Sequence, residues 1–354
     1  MDTVTFRHPE VRGAAVAMEE EAAGGRRRRP LRWVLVSLLV IGAVVAGLVL
    51  WSRSHNAASA EGCEVTPAGG KPITMDLDQG ENAATIAAVS ISRGLPERAL
   101  TIALATALQE SKLRNLDGGD RDSVGLFQQR PSQGWGTAQQ IQDPVYATNK
   151  FLDALVKVQG YARMSLTDAA QAVQHSAYPG AYAKHESHAT ALAEALTGRA
   201  PGAFSCTVHQ FLQIDPALLT SPSSAATDAA TPVAQTSLTG QQQLTDRLRA
   251  EFGRTVTLGP APAGAADPKV AGTALALTPD PAANTDTGAD AQRQSGWAVA
   301  QWAVANAEEV GIGTVRYDGK IWRVDSSASG WQSQANGAGT DKVLITMGMP
   351  NAKK

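Results

Sequence analysis

From Trp33 to Trp51 the chain reads WVLVSLLVIGAVVAGLVLW, with no charged residue. At about 1.5 Å rise per residue a helix of that length covers roughly the 30 Å hydrocarbon core of a bilayer, so the run predicts one transmembrane helix. Arg26 to Arg29 and Arg32 precede it, and only Arg53 follows closely. The positive-inside bias therefore puts residues 1–30 in the cytoplasm and everything after about Ser54 outside. Residues 1–30 are polar and aperiodic, the pattern of a disordered tail. Ala58-Ser59-Ala60 offers the alternative of a cleaved signal peptide, although the apolar run is long for one.

Beyond the apolar run the pattern changes character several times. Residues 52–75, rich in Ala, Ser, Gly and Pro, read as a linker. From 76 to 199 helical spacing dominates: Ala83, Ile86, Val89 and Ile91, then Ala99 to Leu113, Tyr146 to Val158, Leu166 to Val173 and Ala189 to Leu196. Gly94-Leu95-Pro96, Gly118-Gly119 and Pro179-Gly180 punctuate these runs. The result is a mostly helical domain with one irregular, polar insertion. Residues 213–239 lack apolar periodicity and read as a flexible linker, long enough for independent motion of what lies on either side. From 240 to 348, Leu244, Leu248 and Phe252 mark a helix, and extended segments follow near Thr255 to Leu258 and Thr273 to Leu277. A second helix, Trp297 to Val310, precedes strands at Thr314 to Tyr317, Lys320 to Val324 and Val343 to Met347. This is a small α+β domain.

Composition removes some function classes. A formal net charge of -2 over 354 residues gives no basic face for phosphate neutralisation, which argues against a nucleic-acid binder. Both cysteines, Cys63 and Cys206, follow the apolar run, in a compartment where disulfides persist, and are expected to pair around the helical domain. The alternative is two unrelated thiols. The six histidines fall at 8, 55, 175, 185, 188 and 209, so a histidine-ligated zinc site or a Cys-His nucleophile is excluded from 240–354. His185-Glu186-Ser187-His188 is followed by Ala189 and so lacks the His-Glu-x-x-His spacing of zinc hydrolases.

The chemistry concentrates after Pro96. Glu97 to Ser111 is a strong helix former, and Ala99, Ala103, Glu110 and Leu113 share a stripe. A carboxyl at the edge of an apolar surface keeps its proton more readily than one in water, the property a general acid needs. A solvated glutamate in a final helical turn fits the periodicity equally well. Downstream, in order, stand Asp120-Arg121-Asp122-Ser123-Val124-Gly125-Leu126-Phe127-Gln128-Gln129, Pro131, Gly134-Trp135-Gly136 and Asp143-Pro144.

As an ordered set with Gln109-Glu110-Ser111, these motifs resemble the lysozyme-like superfamily, specifically soluble lytic transglycosylases, over about residues 76–199. The resemblance implies a mainly α lysozyme-like domain of an α+β superfamily, which would stand outside the single transmembrane helix read from the apolar run and before the small C-terminal α+β domain. It implies Glu110 as the acid/base residue, Ser111 as its support, and Gly125, Leu126, Phe127 and Gln128 as lining of a sugar cleft. Where the family has Ala-Tyr-Asn-Ala-Gly, this chain has Ala172-Val173-Gln174-His175-Ser176-Ala177. Gln174 is then the residue to meet an N-acetyl group, with Tyr178 or Tyr182 in place of the missing tyrosine. Asp117, Asp120 and Asp122 are candidates for a second carboxylate, in a segment that also reads as a solvated turn.

The C-terminal domain looks distantly like envelope domains related to zinc D-Ala-D-Ala carboxypeptidases, but near Lys269, Ala276 and Lys342 or Leu344 no metal ligand stands. It reads as a non-catalytic relative. The expectation is an enzyme acting on peptidoglycan glycan strands, attached to the membrane, with no cofactor, metal or nucleic acid. The alternatives are a non-catalytic wall-binding protein and a lysozyme-type hydrolase.

Overall fold

The computed structural model describes residues 36–45, 47, 60–175, 179–211, 240–270, 272–280, 289–334 and 341–348. The chain divides into two units, 1–58 and 59–354. In the first, residues 36–45 are helical and expose Leu38, Leu39 and Ile41. Among the described residues no helix is long and apolar enough to cross a membrane, and most of the remainder of the expected 33–51 span, like residues 1–30, lies outside them.

The second unit mixes α and β structure. Two helices form its centre, α1 (Leu77–Ser92) and α2 (Glu97–Glu110). Both are buried on every side through their middles, Asn82 to Ser90 and Ala99 to Leu108, so they behave as core helices rather than amphipathic ones. Small residues, chiefly alanine, let neighbours approach closely. Around them lie α3 (Ala138–Ile141), α4 (Pro144–Leu155), α5 (Leu166–Gln174) and α6 (Glu186–Leu196). Side chains answer exposed helix N–H groups at three of these starts: Thr137 accepts from Gln140, Asp143 from Val145 and Tyr146, and Ser165 from Asp168.

Part of the segment read as a linker, 52–75, is sheet. Strands β1 (Gly62–Val65) and β2 (Ile73–Met75) join β3 (Phe204–Thr207) antiparallel in the order β2-β1-β3. Each is four residues or fewer, too short for period-two alternation to show against the Gly and Pro around it. Cys63 stands directly across from Cys206 in this sheet, and the two form the expected disulfide.

The second lobe opens with α7 (Gly240–Phe252), followed by β4 (Val256–Pro260), β5 (Ala274–Pro279), α8 (Ala289–Ala305) and α9 (Ala307–Val310). It ends with β6 (Ile312–Tyr317), β7 (Lys320–Arg323), β8 (Gln332–Ser333) and β9 (Val343–Met347). The sheet runs β4-β5-β9-β6-β7-β8 with antiparallel neighbours throughout.

The two lobes share buried hydrogen bonds. Gln301 of α8 accepts the Phe204 N–H at 2.8 Å and donates to the Ala195 carbonyl at 2.5 Å. Trp322 and Trp331 donate their indole N–H groups to Cys206 and Phe204 carbonyls, both at 2.9 Å. Glu251, 2% exposed, accepts from Arg247 at 2.8 Å, Trp302 at 2.6 Å and Thr85 of α1 at 3.1 Å. Arg247 also pairs with Glu81 and Glu309. Burial pushes the Glu251 carboxyl up, against the pull of Arg247. These contacts tie the lobes together, so the independent motion expected from the 213–239 spacer gives way to one compact unit. The spacer itself lies outside the described residues.

Candidate functional site

Helix α2 ends at Glu110, one residue short of the Glu97–Ser111 helix former and three short of the end of the apolar run at Leu113. Ser111 caps it at φ -135°, and Lys112 and Leu113 then take left-handed conformations at φ 56° and 63°. Leu113 still reaches the core, at 0% exposure, but by a turn and not by helical spacing. The turn is held from α1, where Gln79 donates to the Lys112 carbonyl at 2.6 Å and buried Asn82 to the Leu113 carbonyl at 2.8 Å. Apolar spacing reveals neither contact, although an asparagine beside the apolar run of α1 is the kind of residue that marks one.

Partly buried Glu110 has a specific partner. Tyr182, 0% exposed, donates its hydroxyl to Glu110 Oε1 at 2.7 Å. A hydrogen bond from an uncharged donor to a carboxylate fixes its rotamer and leaves its second oxygen for other chemistry. Tyr182 is thus one of the two tyrosines that the departure at Gln174-His175 left as candidates. The other, Tyr178, lies outside the described residues. Beside the pair, burial first, and then the charges of Lys184 and His188, push the His185 imidazole down, which favours its neutral ring. Its Nε2 lies 3.2 Å from Gln109 Oε1.

The segment after the insertion comes up against this helix end. Ser111 Oγ donates to the Leu126 carbonyl at 2.7 Å, and Gln174 Nε2 donates to the Phe127 carbonyl at 2.8 Å. Ser111 and Gln174 therefore grip the backbone of 125–128 from two sides. Gly125 sits at φ 78°, and a side chain there would bring a Cβ to 2.6 Å from the Ile141 carbonyl oxygen, so both conformation and space call for glycine. Leu126 and Phe127 point inward at 0% exposure, and Phe127 stacks on Phe151 at 4.6 Å. Their side chains are core, so the cleft lining expected of Leu126 and Phe127 is left to their backbone alone. Gln128, partly exposed at φ 48°, is the one of the four whose side chain reaches the surface.

Six non-glycine residues among those described have positive φ, and Lys112, Leu113, Gln128 and His175 belong to the segments around Glu110. Such conformations cost of order 1–3 kcal/mol each and gather where a site needs a fixed, unusual backbone. The three candidate second carboxylates are placed differently. Asp122 accepts from Arg130 at 2.8 Å, the Ser132 N–H at 2.7 Å and the Ser132 hydroxyl at 3.0 Å, clasping the insertion. Arg130 above all, then Ser132, hold its carboxyl well below the usual carboxylate range. Asp117 and Asp120 are exposed. None of the three hydrogen-bonds Glu110 in the described structure.

Among known proteins, no curated sequence matches this chain. Residues 234–343 match a protein family described as "VldE, C-terminal domain", a similarity that starts just before α7, reaches the first residue of β9 and leaves the Glu110 site outside it.

Proposed function

We propose that the helical lobe is a lytic transglycosylase that cleaves the MurNAc–GlcNAc bond of peptidoglycan with Glu110 as its single acid/base group. The observation that carries this reading is the Tyr182–Glu110 hydrogen bond at the end of α2, facing a 125–128 segment gripped by Ser111 and Gln174. Protonated Glu110 gives its proton to the glycosidic oxygen as the bond to C1 breaks and GlcNAc departs. The resulting carboxylate then takes the proton of the MurNAc 6-hydroxyl as O6 bonds to C1, closing a 1,6-anhydro ring and restoring the acid. One carboxyl suffices for this sequence, whereas hydrolysis commonly uses two. The commitment of Asp122 to its clasp with Arg130 and Ser132 favours the one-carboxyl route.

In the same reading residues 33–51 anchor the chain in the membrane with the two lobes outside, supported by the uncharged run, the arginines before it and a disulfide downstream. The test is digestion of purified peptidoglycan with residues 54–354, followed by mass spectrometry of the released fragments. Anhydro ends are expected. Reducing ends would make the enzyme a hydrolase, and no release would leave a wall-binding protein.

A further inference from the structure

Away from Glu110, one face of the six-stranded sheet carries an ion cluster short of negative charge. Tyr317 of β6 meets α8, edge-to-face with Trp297 at 5.7 Å and hydrogen-bonded to the Gln292 carbonyl at 3.2 Å. Period-two alternation therefore turns Thr314 and Arg316 to the opposite face. Strand register sets Thr346, Thr314 and Arg323 side by side on that face, with Leu344 and Ile321 flanking Arg316. The 261–270 segment reaches this row, where the Asp267 N–H donates to Thr346 Oγ1 at 3.4 Å.

Asp267, 2% exposed, is fully engaged: Oδ2 accepts Arg323 Nε and Nη2 at 3.0 and 2.7 Å, and Oδ1 accepts the Lys269 N–H at 2.9 Å. Among the described residues half-buried Arg316 has charged neighbours but no hydrogen-bond or ion-pair partner. Its Nε is buried without a hydrogen bond, and so is Thr314 Oγ1, in a residue 0% exposed. Burial weakens the hold of Arg316 on its proton, Asp267 opposes that effect and Arg323 reinforces it. Two guanidinium groups against one carboxylate leave a positive charge, a buried N–H and a buried hydroxyl unanswered. A buried polar group without a partner is costly, and a natural sheet keeps few of them.

We propose that Arg316, with Arg323 and Thr314 beside it, is a binding site for one carboxylate carried by a small molecule or a chain end. The charge count selects the class: a monoanion brings two guanidiniums and Asp267 to neutrality, whereas a phosphate dianion overshoots. Geometry points the same way, because a guanidinium fork matches a planar carboxylate in two parallel hydrogen bonds. Leu344 and Ile321 at the sides favour a carboxylate on a short aliphatic group. The site makes no use of Glu110.

The full chain is titrated at constant ionic strength with N-acetylglycine, with its neutral analogue N-acetylglycinamide and with inorganic phosphate, following Tm and binding heat. N-acetylglycine at ten times its Kd is expected to raise Tm by about 3 °C, and the amide by nothing measurable. Arg316→Met should abolish the shift while leaving the ligand-free Tm equal to or above the parent, because it removes a partly buried charge that has no partner. Arg316→Lys keeps the charge but loses the fork, and should bind about tenfold more weakly. The proposal is overturned by an equal response to the amide, by a response to phosphate alone, by no response at all, or by a shift that survives in Arg316→Met. A ligand-free Tm several degrees lower in Arg316→Met would overturn it as well, since Arg316 would then be satisfied within the fold.

Discussion

Gly80 joins the first turn of α1 to the disulfide, and replacing it tests how rigidly that corner is built. In an exposed helix Gly→Ala stabilises by about 1 kcal/mol. Here the added Cβ would stand 2.4 Å from Cys63 Sγ, 2.9 Å from Cys63 Cβ and 3.3 Å from Phe204 Cζ. Cys63 cannot step aside, because β1 is paired on both edges and its sulfur is bonded to Cys206. Overpacking a fixed core typically costs about 1–3 kcal/mol, and so rigid a contact belongs at the upper end. Set against the helix gain, Gly80→Ala should destabilise by roughly 1–2 kcal/mol, a fall in Tm of about 2–8 °C. Calorimetry of Gly80→Ala in the parent and in Cys63→Ala with Cys206→Ala completes a double-mutant cycle. Removing the sulfurs removes the nearest contact, so the cost should shrink by at least about 1 kcal/mol or change sign. A Gly80→Ala protein stabilised by the same amount in both backgrounds would refute the reasoning.

The disulfide, the Tyr182 hydroxyl and the Glu251 network are equally open to measurement. The disulfide spans a sequence separation of 143, for which the loop-closure relation gives an upper figure of about 5 kcal/mol. Cys63→Ser with Cys206→Ser should lower Tm on the order of 10 °C, and thiol labelling of the native parent should find nothing; a labelled native thiol contradicts the pairing. Tyr182→Phe removes the hydroxyl that Glu110 accepts at 2.7 Å. A hydrogen bond to a charged group contributes about 1.5–3 kcal/mol, so turnover of peptidoglycan should fall roughly 10- to 100-fold with sedimentation onto the polymer unchanged, and parental turnover would separate Tyr182 from the chemistry. Glu251→Ala strands Trp302 and Thr85 and takes one of three carboxylates from Arg247. The loss should be about 3 kcal/mol or more by chemical denaturation, and a variant as stable as the parent would show that the lobes do not depend on this network.

Much of the fold is written in local pattern. The helices at 77–92, 144–155, 166–174 and 186–196 follow from apolar spacing with Asp143, Ser165 and Pro144 at their starts, and β6, β7 and β9 follow from short β-branched and aromatic runs. What local pattern misses is settled at long range. Residues 62–65 and 73–75 become strands because 204–207 lies beside them, which no window around residue 62 contains. The end of α2 at Glu110 is fixed by Asn82 and Gln79, about thirty residues upstream. The joining of the lobes rests on Gln301, Trp322, Trp331 and Glu251, whose partners lie more than fifty residues away for all but two bonds, those of Glu251 with Arg247 and of Gln301 with the Trp297 carbonyl. The site shows the same division. Glu110, Ser111 and Gly125 are legible as an ordered motif. That Gln174 grips the Phe127 carbonyl, and that Leu126 and Phe127 turn into the core, depends on how the insertion folds back onto α4 and α5.

The most direct measurement is on Glu110→Gln, which keeps the size of the side chain and its ability to accept from Tyr182 but cannot act as an acid. Loss of a general acid typically costs on the order of 100- to 10,000-fold in rate. Incubated with purified peptidoglycan, the variant should sediment with the polymer as the parent does and release almost no anhydro-muropeptide. Release of anhydro-muropeptide at close to the parental rate would contradict the assignment of Glu110 as the acid/base group.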